Sequence, residues 1–419
     1  MQTARENGKL ILQSVAVFLK WVLIAGVVGA VGGLVGSTFH LSVEVATRLR
    51  EQQPWLLFLL PVSGLAIVWL YHALKMNRVN TNAIIDSIHD GSRVPLALVP
   101  AIYLSTVITH LFGGSSGREG AALQIGGSLG NWVGRLFHLD EKDMRIVTLA
   151  GMSAVFSALF GTPLTASVFA LEVISVGVIY YSALVPCLVA ALVALQISVL
   201  FGAAPTRFAL MAVPVSAPMV IRIMGLALLC TVLSIVLCLF MHGTEHLLAK
   251  HLRNEYLRIV CGGAAVVALS VLLGTRDYNG AGMELVRRAI EEGAARPEAF
   301  ALKLLLTALT IGAGFKGGEV VPTFFIGATF GCVLGPLLGI PAGLAAAVGL
   351  VGVFCGAVNS PVASIFLSVE LFGSANVVYF AMACGIAYAL SGYFGLYSSQ
   401  KIMYGKLRAE YINRSANSR

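Results

Sequence analysis

Long stretches of this chain run without a single Asp, Glu, Lys or Arg, among them Val173 to Thr206, Ile223 to Met241, Val320 to Val369 and Leu371 to Gln400. A helix that crosses a bilayer needs about 20 apolar residues, so these runs hold one to three helical segments each. Composition agrees, with 58% of the residues hydrophobic and 11% charged, against about 45–50% and about 25% in soluble domains. No aqueous fold accommodates that balance. The chain reads as an all-α polytopic membrane protein.

Two short stretches recur about 200 residues downstream, and each copy keeps an acidic residue in apolar sequence. Gly117-Arg118-Glu119-Gly120, followed by Gly127, is matched by Gly317-Gly318-Glu319-Val320, followed by Gly327. Ala154-Val155-Phe156-Ser157-Ala158, then Pro163 and Glu172, is matched by Gly352-Val353-Phe354-Cys355-Gly356, then Pro361 and Glu370. Carboxylates are expensive inside a membrane and mark ion pathways there. A duplicated unit that retains them points to a pseudo-symmetric transporter with an ion site between its halves. We expect one transmembrane domain over 1–419, with halves at about 14–200 and 217–405 joined by a linker at 201–217.

Helical stretches are expected at about 14–48, 55–74, 96–111, 121–137, 142–159, 163–176 and 180–201. The second half offers 221–248, 258–273, 299–313, 321–338, 341–357, 361–373 and 376–394, with a polar excursion at 275–297. Many of these are too short to cross about 30 Å of hydrocarbon, and the chain's 45 glycines break them up. Broken helices at membrane depth must end against protein or a polar cavity. Their N-termini present unpaired N–H groups and a positive dipole end, which suits an anion. Gly-rich turns stand directly before two apolar helices, after Glu119 and after Glu319, and Pro322 sits where a first-turn proline belongs.

The formal net charge is +8, and basic residues gather at both ends: Arg5, Lys9 and Lys20, then Lys401, Lys406, Arg408, Arg414 and Arg419. The positive-inside tendency therefore places both termini in the cytoplasm, and nothing calls for a nucleic-acid partner. The first apolar segment follows a mixed-charge leader without a cleavage pattern and reads as a retained helix. The seven cysteines fall in apolar segments without C-x-x-C spacing, so they read as packing residues. The scattered histidines make no metal cluster, and neither metal nor cofactor is expected. Gly113-Gly114-Ser115-Ser116-Gly117 fits the G-x-S-x-G pattern of serine hydrolases, but an apolar helix precedes it and no activating partners stand out. An enzyme is not expected. Glu119, in the same octet and flanked by apolar sequence, is a candidate proton carrier, because desolvation favours the neutral carboxyl group.

Gly117-Arg118-Glu119-Gly120 with Gln124-Ile125-Gly126-Gly127, Gly317-Gly318-Glu319-Val320-Val321-Pro322 with Phe325-Ile326-Gly327-Ala328, and the late Gly395-Leu396-Tyr397-Ser398-Ser399 together resemble the CLC family of anion channels and anion/proton antiporters. The resemblance spans about 20–405. It implies an all-helical homodimer in a lipid bilayer, each subunit with its own pathway between two inverted-topology repeats. It also implies that Glu119 is the gate: ionised, its side chain takes the anion's place, and protonated, it leaves. Tyr397 matches the tyrosine that contacts the central anion. The helix starts near 120 and 320 match the anion-binding helix ends, which brings in Gly117, Arg118, Gly120, Val320 and Val321. No cystathionine-synthase-type regulatory domain is expected after Tyr397.

Three departures from the chloride members bear on the substrate. The Gly-Ser-Gly-Ile-Pro segment, whose serine contacts the anion, is replaced by Arg78-Val79-Asn80-Thr81-Asn82-Ala83-Ile84-Ile85-Asp86, leaving Asn80, Thr81 or Asn82 to stand in. Val173 stands where many exchangers carry an internal proton glutamate. Glu319 stands where chloride members are usually apolar and the fluoride-exporting branch has glutamate. These departures favour a halide/proton antiporter for fluoride over one for chloride, with a passive CLC-type chloride channel as the alternative. Glu319 is read as a second proton-handling group in preference to a buried partner of Lys316. Glu172 and Glu370 are read as structural.

Overall fold

The computed structural model describes residues 2–77, 79–408 and 410–417, without the side chains of residues 2–8 and 10. Arg78 and Arg419, and the side chain of Arg5, lie outside the described residues. The first eight α-helices are α1 Gln2–Gln52, α2 Leu60–Ala73, α3 Thr81–Asp90, α4 Leu98–Leu111, α5 Glu119–Leu136, α6 Glu141–Phe160, α7 Pro163–Glu172 and α8 Leu184–Leu200. Eight more follow: α9 Ala217–His251, α10 Glu255–Leu272, α11 Met283–Arg287, α12 Ala299–Ala313, α13 Val320–Leu334, α14 Ala342–Val358, α15 Pro361–Phe372 and α16 Val377–Leu390.

Packing repeats between the two sets of eight. Helix α5 lies along α6 as α13 lies along α14, and α1 crosses α4, α6 and α8 as α9 crosses α12, α14 and α16. Among the described residues, six helical spans are long and apolar enough to cross a membrane, while α4 and α12 to α16 are shorter apolar helices of 10–17 residues. At about 1.5 Å per residue these short helices cannot reach across the hydrocarbon alone. They therefore end inside the protein, where helix termini can face a buried site.

Close helix approach depends on residues without side chains. A Cβ on Gly126 or Gly130 of α5 would press on the carbonyl oxygens of Gly151 and Val147 in α6, and one on Gly327 or Gly331 of α13 would press on those of Gly349 and Ala345 in α14. Without a hydrophobic drive between helices in lipid, such small-residue seams let backbones approach. Gly331→Val is expected to destabilise the fold by about 1–3 kcal/mol through overpacking, read as a lower midpoint of thermal unfolding in detergent.

Several expectations shift at element ends. The helix expected from 14 begins at Gln2, and the one expected over 163–176 stops at Glu172. Residues 81–90, where the sequence pattern predicts no helix, form α3, whose N-terminus is capped by Asn80 Oδ1 accepting from Ala83 N at 3.1 Å. Ser175–Val176 (β1) pairs in parallel with Lys401–Tyr404 (β2), which pairs antiparallel with Tyr411–Ser415 (β3). This small sheet has no counterpart in the sequence reading, because its strands are too short to carry an alternation of their own. The basic tail also packs on the helices: Lys406 Nζ donates to Asn359 Oδ1 at 2.5 Å and Ser391 Oγ at 2.8 Å. Between α8 and α9 the chain is irregular, and Thr206 N donates to Phe160 O while Phe208 N donates to Leu371 O, each at 2.9 Å.

Candidate functional site

The two copies of the glutamate loop meet. Gly117 N donates to Gly318 O at 2.7 Å and Gly318 N donates to Gly117 O at 2.8 Å, an isolated antiparallel bridge between the two repeated loops, in which Gly317 and Gly318 are the counterparts of Gly117 and Arg118. Only glycine fits: a Cβ on Gly318 would lie 2.8 Å from Glu119 N, and one on Gly117 would overlap the Glu119 carboxylate. The bridge sets the N-terminus of α5 beside that of α13.

Glu119 is the first residue of α5, and its side chain crosses to the other helix. Its Oε2 accepts from Val321 N at 3.2 Å, in the first turn of α13, and from Arg118 N at 3.0 Å. The residue is 0% exposed, and its Oε1 has no hydrogen-bond partner. A carboxylate thus occupies a place that helix N–H groups and dipole make attractive to any anion. Three further buried oxygens nearby lack partners: Glu319 Oε2, Tyr397 OH and Gln124 Oε1. A Cβ on Gly120 would lie 3.4 Å from Glu319 Oε2, which puts the second glutamate against the start of α5. Buried polar atoms are normally paired, and a cluster of unpaired ones marks a place built for something mobile.

A cavity of about 450 Å³ opens beside this cluster and is lined by Thr81, Gln124, Glu245, Lys316, Glu319 and Tyr397 among others. Asn80 and Asn82 line it as well. Of the three candidates to replace the missing serine, Asn80 Oδ1 caps α3 and Asn82 Oδ1 accepts from Ser399 N at 3.1 Å, which fixes both carbonyls and leaves the amide Nδ2 groups as the donors an anion would meet. Thr81 reaches the site itself: its Oγ1 accepts from Gln124 Nε2 at 3.1 Å and lies 3.5 Å from Gly120 O. Arg118 contributes its backbone N–H, while its side chain turns to α6, with Nη2 3.5 Å from Leu159 O. Lys316 does not pair with Glu319. Its Nζ stands 4.4 Å from the centre of the Tyr71 ring, and among the described residues no ion pair links the two. Val320 and Gly120 are buried in the first turns of α13 and α5.

The sequence reading passed over Gln124 as a site residue. A signal was available, since Gln124 lies four residues after Gly120 and so on the same face of a helix that starts there.

The other duplicated glutamates do structural work by exchange. Glu172, ending α7, accepts from Val362 N at 3.2 Å and Ala363 N at 2.8 Å at the start of α15. Glu370, near the end of α15, accepts from Leu164 N at 3.0 Å and Thr165 N at 2.8 Å at the start of α7. Each repeat caps the other's helix. Glu370→Ala is expected to destabilise the protein by about 1.5–3 kcal/mol, the range for hydrogen bonds to charged groups, with the ratio of transported ions unchanged. Thermal unfolding and a flux ratio on the same preparation check both halves of that statement.

Residues 63–392 match the family described as voltage gated chloride channel. Over 396 residues the chain is 37% identical to the chloride/fluoride channel protein of Pseudomonas syringae pv. tomato, covering 92% of this chain and 87% of that protein. The crystal structure of a CLC-type fluoride/proton antiporter superposes with a TM-score of 0.87 at 32% identity, covering 91% of this chain and 98% of that one. A slow cyanobacterial Cl−/H+ antiporter superposes at 0.74 with 18% identity, covering 88% and 94%, and shares the fold.

Proposed function

This chain belongs to the voltage gated chloride channel family, that is, the CLC family of multi-pass membrane transporters, and we propose that within it the chain works as a halide/proton antiporter gated by Glu119, with fluoride favoured over chloride. The observation that carries the reading is the Glu119 carboxylate resting on the first-turn N–H of α13. One negative group already fills the anion's place there, so an arriving halide and the ionised carboxylate exclude one another. Protonation removes the charge that the helix end attracts and frees the place. Halide movement one way and proton movement the other are thereby tied to a single side chain.

Glu319 is the second proton-handling group, with its unpaired oxygen beside the cavity and, among the described residues, no ion pair to a basic side chain. Tyr397, with its hydroxyl free, and Thr81 are the side-chain donors that meet the anion, beside the backbone of Gly117, Arg118, Gly120, Val320 and Val321. Fluoride is favoured because Glu319 replaces an apolar residue, because Val173 is apolar and buried, and because the 32%-identical neighbour is named a fluoride/proton antiporter. The reading also takes in a homodimer in the cell membrane, both termini cytoplasmic on the strength of the basic residues at each end, and two halves at 14–200 and 217–405.

Purified protein in liposomes, given a fluoride or a chloride gradient while halide and external pH are recorded together, tests this. Opposed halide and proton movement is expected. Halide flux without protons selects the passive channel instead, and transport of chloride but not fluoride rejects the substrate.

A further inference from the structure

The cavity beside Glu319 is lined by one more carboxylate, which the gate does not use. Glu245, in the last two turns of α9, shares its wall with His242, Arg258, Lys316, Glu319 and Tyr397. Glu245 is exposed, whereas Glu319 is half-buried, with an Oε2 that is sealed from water and makes no hydrogen bond. The cavity therefore joins a carboxyl group in contact with solvent to the one beside the gate. Helix packing fixes this wall: a Cβ on Gly312 of α12 would lie 3.2 Å from Glu245 N. The Glu245 charge acts on both Lys316 and Glu319. Asn77, past the end of α2, lines the same cavity, and α2 returns to the face from which α1 set out. With cytoplasmic termini, that face is the cytoplasmic one.

The two repeats treat this acid differently. Phe39 and Glu44 of α1 recur about 200 residues on, at the same spacing, as Phe240 and Glu245 of α9, and the two helices take equivalent places in the packing. Glu44 is tied to Arg48 at 2.6 Å. Among the described residues Glu245 has no ion pair. The charged groups around it are otherwise placed: Lys316 lies over the Tyr71 ring, Glu255 stands 3.8 Å from His72, and Arg258 Nε is buried without a hydrogen-bond partner. His242, three residues before Glu245 and so on the same face, commits its Nδ1 to Cys238 O at 2.8 Å. A wall of acids, bases and amides with this much room holds water, and water carries a proton between groups that do not touch.

We propose that Glu245 is the internal proton-loading residue of the exchanger: it takes a proton from the cytoplasm and passes it through cavity water to Glu319. Each transfer breaks one O–H bond and forms another, and leaves Glu245 a carboxylate ready to be reloaded. The inference rests on the antiporter reading above and deepens it, since it supplies the proton that Glu319 hands on to Glu119.

The test is proton and fluoride movement in proteoliposomes sorted to one orientation, with pH varied on each face in turn, for wild type, Glu245→Gln and Glu245→His. In Glu245→Gln, proton movement is expected to fall at least about 10-fold, short of the about 100-fold of a positioned acid–base group because water in the cavity leaves a slower route. Its dependence on pH at the cavity face flattens, and that at the other face is kept. Glu245→His titrates again with the opposite charge, so it restores most of the movement and raises the midpoint of the pH dependence at the cavity face by about 2 units, the interval between an ordinary carboxyl and an ordinary imidazole. That upward shift is read against wild type alone and decides the matter even if Glu245→Gln fails to fold. A wild-type rate and pH profile in Glu245→Gln, a loss that Glu245→His does not restore, or an unmoved midpoint in Glu245→His overturns the loading role alone. Wild type that moves halide without protons overturns the antiporter reading and this role with it.

Discussion

Glu119→Gln will abolish proton movement: in liposomes, proton flux driven by a halide gradient is expected to fall by about 100-fold or more, the lower end of what a positioned acid–base group contributes. The amide keeps the shape of the side chain and its carbonyl can still accept from Val321 N, but it carries neither a charge to compete with the halide nor a titratable proton. The effect is therefore on coupling before it is on folding. Halide and pH recorded together separate the two: wild-type stoichiometry in Glu119→Gln removes this residue from the mechanism.

The second large effect belongs to Glu319. Glu319→Gln is expected to lower fluoride/proton exchange at least about 10-fold, equivalent to about 1.4 kcal/mol in the barrier, while leaving thermal stability within about 0.5 kcal/mol. The small stability change follows from geometry. Its Oε2 makes no hydrogen bond, and no ion pair with Lys316 is present to be broken. If Glu319 were a structural acid the pattern would invert, with a lower unfolding midpoint and unchanged exchange. Unfolding and exchange measured on one preparation decide between them.

Much of this was legible in the sequence, for reasons that differ by residue. Membrane residence followed from uncharged runs, because desolvating charge has a large and local cost. The meeting of Glu119 and Glu319 was legible through duplication, since equivalent loops of a pseudo-symmetric pair must approach their shared axis. The roles of Asn80 and Asn82 were not legible. They stand two apart in one polar stretch, and only the fold reveals that Asn80 caps α3 while Asn82, inside α3, holds Ser399. Arg118 is split in a way the sequence does not show: just before α5, its backbone N–H stands at the gate while its guanidinium turns toward α6. Helix α3 and the β1–β2–β3 sheet escaped notice because short elements stabilised by distant partners leave little periodicity of their own.

The exchange of caps between α7 and α15 bears on how the chain comes into being. When a ribosome has finished residue 200, the start of α7 still lacks the carboxylate that will bind Leu164 and Thr165, because Glu370 has not yet been made. The first half must wait, in the membrane and incomplete, until most of the second has followed. Each half is thus the other's last folding step, and the two copies, once joined, are no longer independent objects. Separately expressed halves are expected to recover a stable protein only when produced together in the same membrane.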